Sequence, residues 1–172
     1  RCKQDVIFKQ KDIQDLMKLW KVVAYHTPVT VGPFTVTLMN SAHVLGSSFL
    51  LVEAEGKRIL FSGDLGNSPM PLLVVTEPAP EADYCVIESA YGGRIHEDLP
   101  TRKEILEDII EETMKHGGTL MIPAFAMERT QEILFEIDDL MTRGRIPPVP
   151  VFFDSPLAIK LTAVYKKYAD YF

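Results

Sequence analysis

Two short apolar runs on either side of a two-residue turn constrain this chain more than any other feature. Residues 49–54 and 57–61 flank Glu55-Gly56. An acidic residue followed by glycine between such runs predicts a tight β-hairpin. The turn sets a register in which Val52 faces Ile59, Leu50 faces Phe61 and Ser47 faces Asp64. Glu53 then lies opposite Arg58, a favourable cross-strand pair. Apolar residues occupy both faces, which predicts burial on both sides. The open end gathers two small-residue loops, one carrying His43 and the other Asp64, beside Gly46, Gly63 and Gly66. Imidazole and carboxylate are ordinary zinc ligands, and glycines let backbone and ion come close. Two readings stand side by side here: a metal site, or a tight hairpin with a loop histidine and a turn aspartate.

A chain of 172 residues is long enough for one large domain or two small lobes with a real core. A net charge of −6 argues against a general nucleic-acid coat protein, although a local basic groove or a bound metal could still receive a phosphate backbone. No apolar run reaches membrane-spanning length, and Arg1-Cys2-Lys3-Gln4-Asp5 does not open a signal peptide. Cys2 and Cys85 do not make a disulfide framework. Cys85 lies in an apolar strand and is expected in the core, so a reducing cytoplasm is the expected compartment. The first residue is not Met and the chain stops inside an apparent helix at Tyr171-Phe172, so it reads as a piece of a longer protein.

Residues 6–8 suggest a short strand. Ile13, Leu16, Met17 and Trp20 recur at helical spacing and predict an amphipathic helix over residues 11–20. Residues 22–25 and 34–39 read as strands, with His26 at the surface before a Thr-Pro turn. From Tyr84 the pattern alternates strand and helix. Strands are expected at 84–87, 120–122 and 149–153. The helix after the first opens on Thr101-Arg102-Lys103-Glu104, a capping-box pattern, and stops at Gly117-Gly118. Its expected buried stripe is Ile105, Leu106, Ile109, Ile110 and Thr113. A second helix over residues 127–143 carries Ile133, Leu134, Ile137, Leu140 and Met141 and ends at Gly144. Ser155 caps a third helix with Pro156 at its first position, burying Leu157, Leu161, Val164, Tyr165 and Tyr168.

Such alternation implies crossover units and parallel pairing, with the ligand edge outside the strand C-termini. Three strand ends carry polar groups there: Glu88-Ser89, residues 124–129, and Asp154-Ser155. Two of them run straight into helix N-termini, whose free amides favour phosphate. Arg129 falls in the first turn of its helix, where a cation opposes the helix dipole, so service to an anion explains it. An exposed arginine paired with Glu128 or Glu132 explains it equally. Asp154 reads either simply as a cap residue or as a polar group of that ligand edge.

Three strings together resemble the metallo-β-lactamase/β-CASP nucleases: Ser41-Ala42-His43-Val44-Leu45-Gly46-Ser47, Phe61-Ser62-Gly63-Asp64-Leu65-Gly66 and Ile87-Glu88-Ser89-Ala90-Tyr91-Gly92. Ile122-Pro123-Ala124-Phe125-Ala126-Met127-Glu128-Arg129-Thr130-Gln131-Glu132-Ile133 and Asp154-Ser155-Pro156-Leu157-Ala158 extend the resemblance, which runs from about residue 34 to the end. It implies an α/β fold: part of an αββα metallo-β-lactamase lobe over residues 1–93, then part of a parallel-sheet β-CASP lobe over 94–172. It implies a zinc-dependent ribonuclease with two ions, hydrolysing RNA phosphodiesters in the cleft between lobes.

On that resemblance His43 is a zinc ligand and Asp64 a carboxylate bridging both ions. Glu88 is an acid that binds no metal and orients a later histidine. Asp64 and Glu88 are therefore the catalytic candidates, His43 and Asp64 the metal candidates, and Arg129 and Ser155 the candidates for RNA phosphate. RNA is the implied partner and no membrane is; a homodimer is left open. The Asp154-Ser155-Pro156-Leu157-Ala158 string resembles the single-chain bacterial or archaeal style.

Departures from the family pattern bound the reading. The main ligand motif, His-x-His-x-Asp-His, is absent. His96 and His116 do not match the family's later histidines, and Ala90 stands where relatives usually carry Thr. The chain holds part of a catalytic site and is expected to be inactive alone. The rival reading is a non-catalytic α/β module that binds RNA or protein through the same rim. A metallo-hydrolase of a small ester or of DNA is the third.

Overall fold

The computed structural model describes residues 6–67, 70–96 and 98–171; Cys2 and Phe172 lie outside them. In chain order the elements are α1 (Gln10–Leu19), β1 (Val29–Val31), β2 (Phe34–Asn40), β3 (Ser48–Ala54), β4 (Lys57–Phe61) and β5 (Tyr84–Val86). Then come α2 (Leu99–Lys115), α3 (Arg129–Thr142), α4 (Pro156–Lys167) and a 3₁₀ turn at Ala169–Tyr171. The five strands form one sheet in the order β1-β2-β3-β4-β5. The first three pairings are antiparallel and β5 joins β4 in parallel. The chain is thus α/β, as expected.

The hairpin has the expected register: Val52 pairs with Ile59, Leu50 with Phe61 and Glu53 with Arg58. Glu55 and Gly56 both have positive φ, 51° and 71°. These values suit a type I′ turn, whose twist matches that of the strands it joins. One face of the sheet carries the core of this half, Met39, Phe49, Leu51 and Leu60. The opposite face does not meet the expectation of burial. Leu50, Val52 and Ile59 are only partly covered and Phe61 is 38% exposed. α1 forms where its periodicity predicts, yet buries nothing. Periodicity specifies a helix and its apolar stripe; burial needs a facing surface as well.

Several strands come out differently. Residues 6–8 and 22–25 are not strands. The edge strand is β1, entered after Thr27-Pro28 and joined to β2 through a two-residue turn at Gly32-Pro33. Cys85 is exposed, not in the core, because β5 is an edge strand with all three residues open. In the second half, residues 120–122 and 149–153 make no ladder among the described residues. Apolar composition does not make a strand without a neighbour to accept its backbone bonds. Leu120 and Val149 pack instead against the second core, built from Ile110 of α2, Ile137 and Leu140 of α3, and Ile146.

The helices start and stop by local chemistry. α2 opens before the Thr101 capping box: Asp98 is its cap, accepting from the Thr101 amide at 2.9 Å, with Pro100 in the first turn. Asp98 wins because a carboxylate outcompetes a hydroxyl for the free amides and proline tolerates the first turn. α4 begins as expected, with the Ser155 hydroxyl accepting from the Ala158 amide at 3.2 Å. Its buried residues are Ala158 and Tyr165; Leu157, Val164 and Tyr168 are exposed. Among the described residues, no helix is long and apolar enough to cross a membrane.

Candidate active site

The loop between β2 and β3 is closed by its own polar groups. The Ser47 hydroxyl accepts from the amides of His43 and Val44 at 2.9 and 3.1 Å and lies 2.9 Å from the Ser41 hydroxyl. Asn40 Oδ1 accepts from the Ala42 amide at 2.8 Å, and the Tyr25 hydroxyl donates to the Ser47 carbonyl at 2.8 Å. The loop after β4 is tied to this one through the Gly66 amide, which donates to the Ser41 carbonyl at 2.8 Å. The two loops approach so closely there that a Cβ on residue 66 would lie 1.9 Å from the Ala42 oxygen.

This closure brings His43 and Asp64 together. His43 Nε2 lies 3.8 Å from Asp64 Oδ2, with both side chains open to solvent, 45% and 78% exposed. Two donors each about 2 Å from one ion can be no more than about 4 Å apart, so the pair fits joint coordination. No group of three metal-capable side chains occurs among the described residues. The pair is therefore an incomplete donor set, since a catalytic zinc takes at least three protein ligands.

Glu88, just beyond β5, sits on the same edge. Its Oε1 accepts from the Leu65 amide at 3.3 Å, next to Asp64, and its Oε2 from the Ala90 amide at 2.8 Å. Its own amide donates to the Ser62 hydroxyl at 2.9 Å. The residue 90 contact is made by backbone, so alanine there costs no hydrogen bond.

Arg129 is the first residue of α3. Its side chain is more than half exposed, and Nη1 lies 3.6 Å from Glu132 Oε2. The ion pair weighed as the plainer alternative is therefore present. Glu132 is buried, and burial raises its carboxyl above the usual range, against the opposing pull of Arg129. A carboxyl raised in the folded state binds its proton more tightly there than in the unfolded chain. Its stabilising contribution is complete below the unfolded value and is lost as pH rises through the folded one. Glu132→Gln should thus raise the thermal midpoint by roughly a few degrees near about pH 8 and by nothing near about pH 4. A midpoint difference that is the same at both ends of a pH series would show that Glu132 is not destabilised by its charge.

Ser155 spends its acceptor capacity as the cap of α4. The structure brings His43, Asp64 and Glu88 to one edge. Arg129 and Ser155 instead contact Glu132 and the Ala158 amide. Two residues that the sequence offers only as an ion-pair partner and a helix-core position, Glu128 and Tyr165, border the edge. Glu128, before α3, is buried and bonded to the Tyr165 hydroxyl of α4. The Leu45 amide reaches that hydroxyl at 3.5 Å. Helical periodicity places Tyr165 in the core, but no local pattern joins it to Glu128.

The Beta-Casp domain model matches residues 130–172, about a quarter of the chain. Ribonuclease TTHA0252 of Thermus thermophilus is 34% identical over 167 residues, covering 96% of this chain and 38% of that protein. The cleavage and polyadenylation specificity factor subunit 3-I of Arabidopsis thaliana is also 34% identical, over 96% of this chain and 24% of its own length. An RNase J-like protein of Methanocaldococcus jannaschii is 34% identical over 95% of this chain and 40% of its own. The chain thus spans between about a quarter and two-fifths of the length of these relatives.

Proposed function

We propose that this chain is the central part of a zinc-dependent ribonuclease. Residues 1–93 contribute to the metal-holding lobe and residues 94–172 to the lobe that helps hold RNA. The observation that carries the reading is the His43–Asp64 pair at 3.8 Å, with Glu88 anchored on the same edge. The names of the relatives, a ribonuclease among them, support RNA as the substrate. His43 and Asp64 would be two of the residues that hold the metal. Zinc bound there would supply hydroxide at neutral pH and polarise the scissile phosphate. Glu88 binds no metal in this reading; it braces the Leu65 amide and is available to orient a donor from elsewhere in the protein. The unpaired, exposed Cys85 thiol fits a reducing compartment, and we assign the cytoplasm.

We assign Arg129 to the RNA backbone. Its guanidinium can exchange the 3.6 Å contact with Glu132 for two parallel bonds to phosphate, a geometry lysine does not reproduce. Ser155, at the start of α4, is assigned to the same rim. The test is RNA cleavage and RNA affinity against salt in the full-length protein. Chelation should stop cleavage. Arg129→Ala should weaken binding evenly across sequences and lower the salt slope by about one phosphate contact, with zinc content unchanged. Cleavage that survives complete removal of metal would end the zinc-dependent reading. An unchanged slope would return Arg129 to a surface ion pair.

A further inference from the structure

Glu128 is held in a costly state. Its backbone sits at φ 64° and ψ −65°, a region that side-chain-bearing residues rarely adopt. It precedes α3 but makes no side-chain cap bond to that helix. Its side chain is buried, only 6% of the residue remaining accessible. One carboxylate oxygen accepts from the Tyr165 hydroxyl; the other, Oε1, is buried with no hydrogen-bond partner among the described residues. A strained backbone and a buried, half-satisfied carboxyl group at one residue persist only where the surroundings over-determine them.

What surrounds Glu128 is the link between the two halves. Tyr165 is buried on α4, and its hydroxyl lies between the Glu128 carboxylate and the Leu45 amide at 3.5 Å. Leu45 is two residues from His43 in the loop that the Ser47 hydroxyl closes. A continuous path of polar contacts therefore runs from α3 and α4 into the His43 loop. The other ties of that loop, from Asn40, Ser47, Tyr25 and Gly66, come from the sheet half itself.

We propose that Glu128 and Tyr165 are positioning residues: as a strut from the helical half, they hold the 43–46 loop so that His43 faces Asp64. The inference rests on reading His43 as a metal ligand. Outer groups that orient a ligand alter metal affinity and turnover without touching the substrate. The carboxylate fixes the Tyr165 hydroxyl, and the hydroxyl fixes the Leu45 amide. The helical half thereby sets the donor geometry of the sheet half.

The experiment compares Tyr165→Phe and Glu128→Gln with wild type and His43→Ala, all in the full-length protein. Hydrogen exchange of the Leu45 amide is read in the metal-free protein, zinc affinity by chelator competition, and kcat and KM on RNA. Tyr165→Phe should speed Leu45 exchange, weaken zinc by about tenfold and lower kcat by about tenfold, with KM within about twofold. Glu128→Gln keeps an acceptor for the tyrosine hydroxyl and should retain most of the zinc affinity. Should Tyr165→Phe not fold, Glu128→Ala replaces it, with the same losses expected. Wild-type Leu45 exchange and zinc affinity in the variant lacking the hydroxyl would overturn the strut. If His43→Ala loses zinc while Tyr165→Phe keeps it, only this inference fails. If His43→Ala itself keeps zinc and turnover, the ligand reading beneath it fails.

Discussion

His43→Ala in the full-length protein is expected to lower RNA turnover by about a thousandfold, equivalent to about 4 kcal/mol of barrier. The imidazole and the Asp64 carboxylate are the two donors that converge at the open end of the hairpin. Removing one leaves a single, largely exposed carboxylate from this chain. No other histidine here can replace it. His26 Nε2 is engaged with Glu77 at 3.0 Å, and His116 Nδ1 lies 2.8 Å from the Glu112 carbonyl at the end of α2. His96 stacks edge-on against Tyr91. Metal content measured by atomic emission should fall with turnover. The salt dependence of RNA affinity should stay close to wild type, because no phosphate contact is lost. A variant with full metal content and wild-type turnover would remove His43 from the site.

Gly66→Ala should be nearly as damaging, for a steric reason. The added carbon would lie 1.9 Å from the Ala42 oxygen, 2.4 Å from its carbonyl carbon and 3.0 Å from the His43 nitrogen. All three are backbone atoms in a loop closed by four side chains, so none can swing aside. We expect a loss of about 3 kcal/mol or more in unfolding free energy. Weaker zinc binding should accompany it, since relief requires His43 to move. Gly92→Ala is the control. A carbon there meets only Ser89, at 3.5 Å or more, and should change stability by about 0.5 kcal/mol or less. Equal midpoints for the two variants in a urea titration would refute the close approach of the loops.

The parts legible in the sequence are those decided locally. Glu55-Gly56 specifies its turn through positive φ at both positions, and the turn fixes every pair up to Leu50 and Phe61. His43 and Asp64 follow from that register, because the strands deliver their ends side by side. Ser155 was legible as a cap because the following proline cannot donate. What failed depends on remote surfaces. The stripe of α1 announces a helix but says nothing of a partner. Residues 120–122 and 149–153 have strand composition, yet composition supplies no neighbour for their backbone. Burial of Tyr165 follows from its helical stripe, but its contact with Glu128 and Leu45 was not legible, for another reason. Glutamate has no preference for the backbone region it occupies, and Tyr165 meets Leu45 across 120 positions of chain.

The sheet order also sets a sequence of events in time. β1 to β4 are neighbours in the chain as well as in space. Such a meander can close from its turns on the microsecond scale of hairpins. β5 pairs in parallel with β4 and must first bring back the long proline-containing connection that follows Gly66. That return carries a larger loop-closure entropy and is expected to come later. Pulsed exchange should accordingly protect β3 and β4 amides ahead of those of β5; simultaneous protection would contradict this order. As the chain leaves a ribosome, His43 and Asp64 would thus be paired before Glu88 arrives to clasp the Leu65 amide. The carboxylate functions in this order as a latch, closing a site whose two donors are already set.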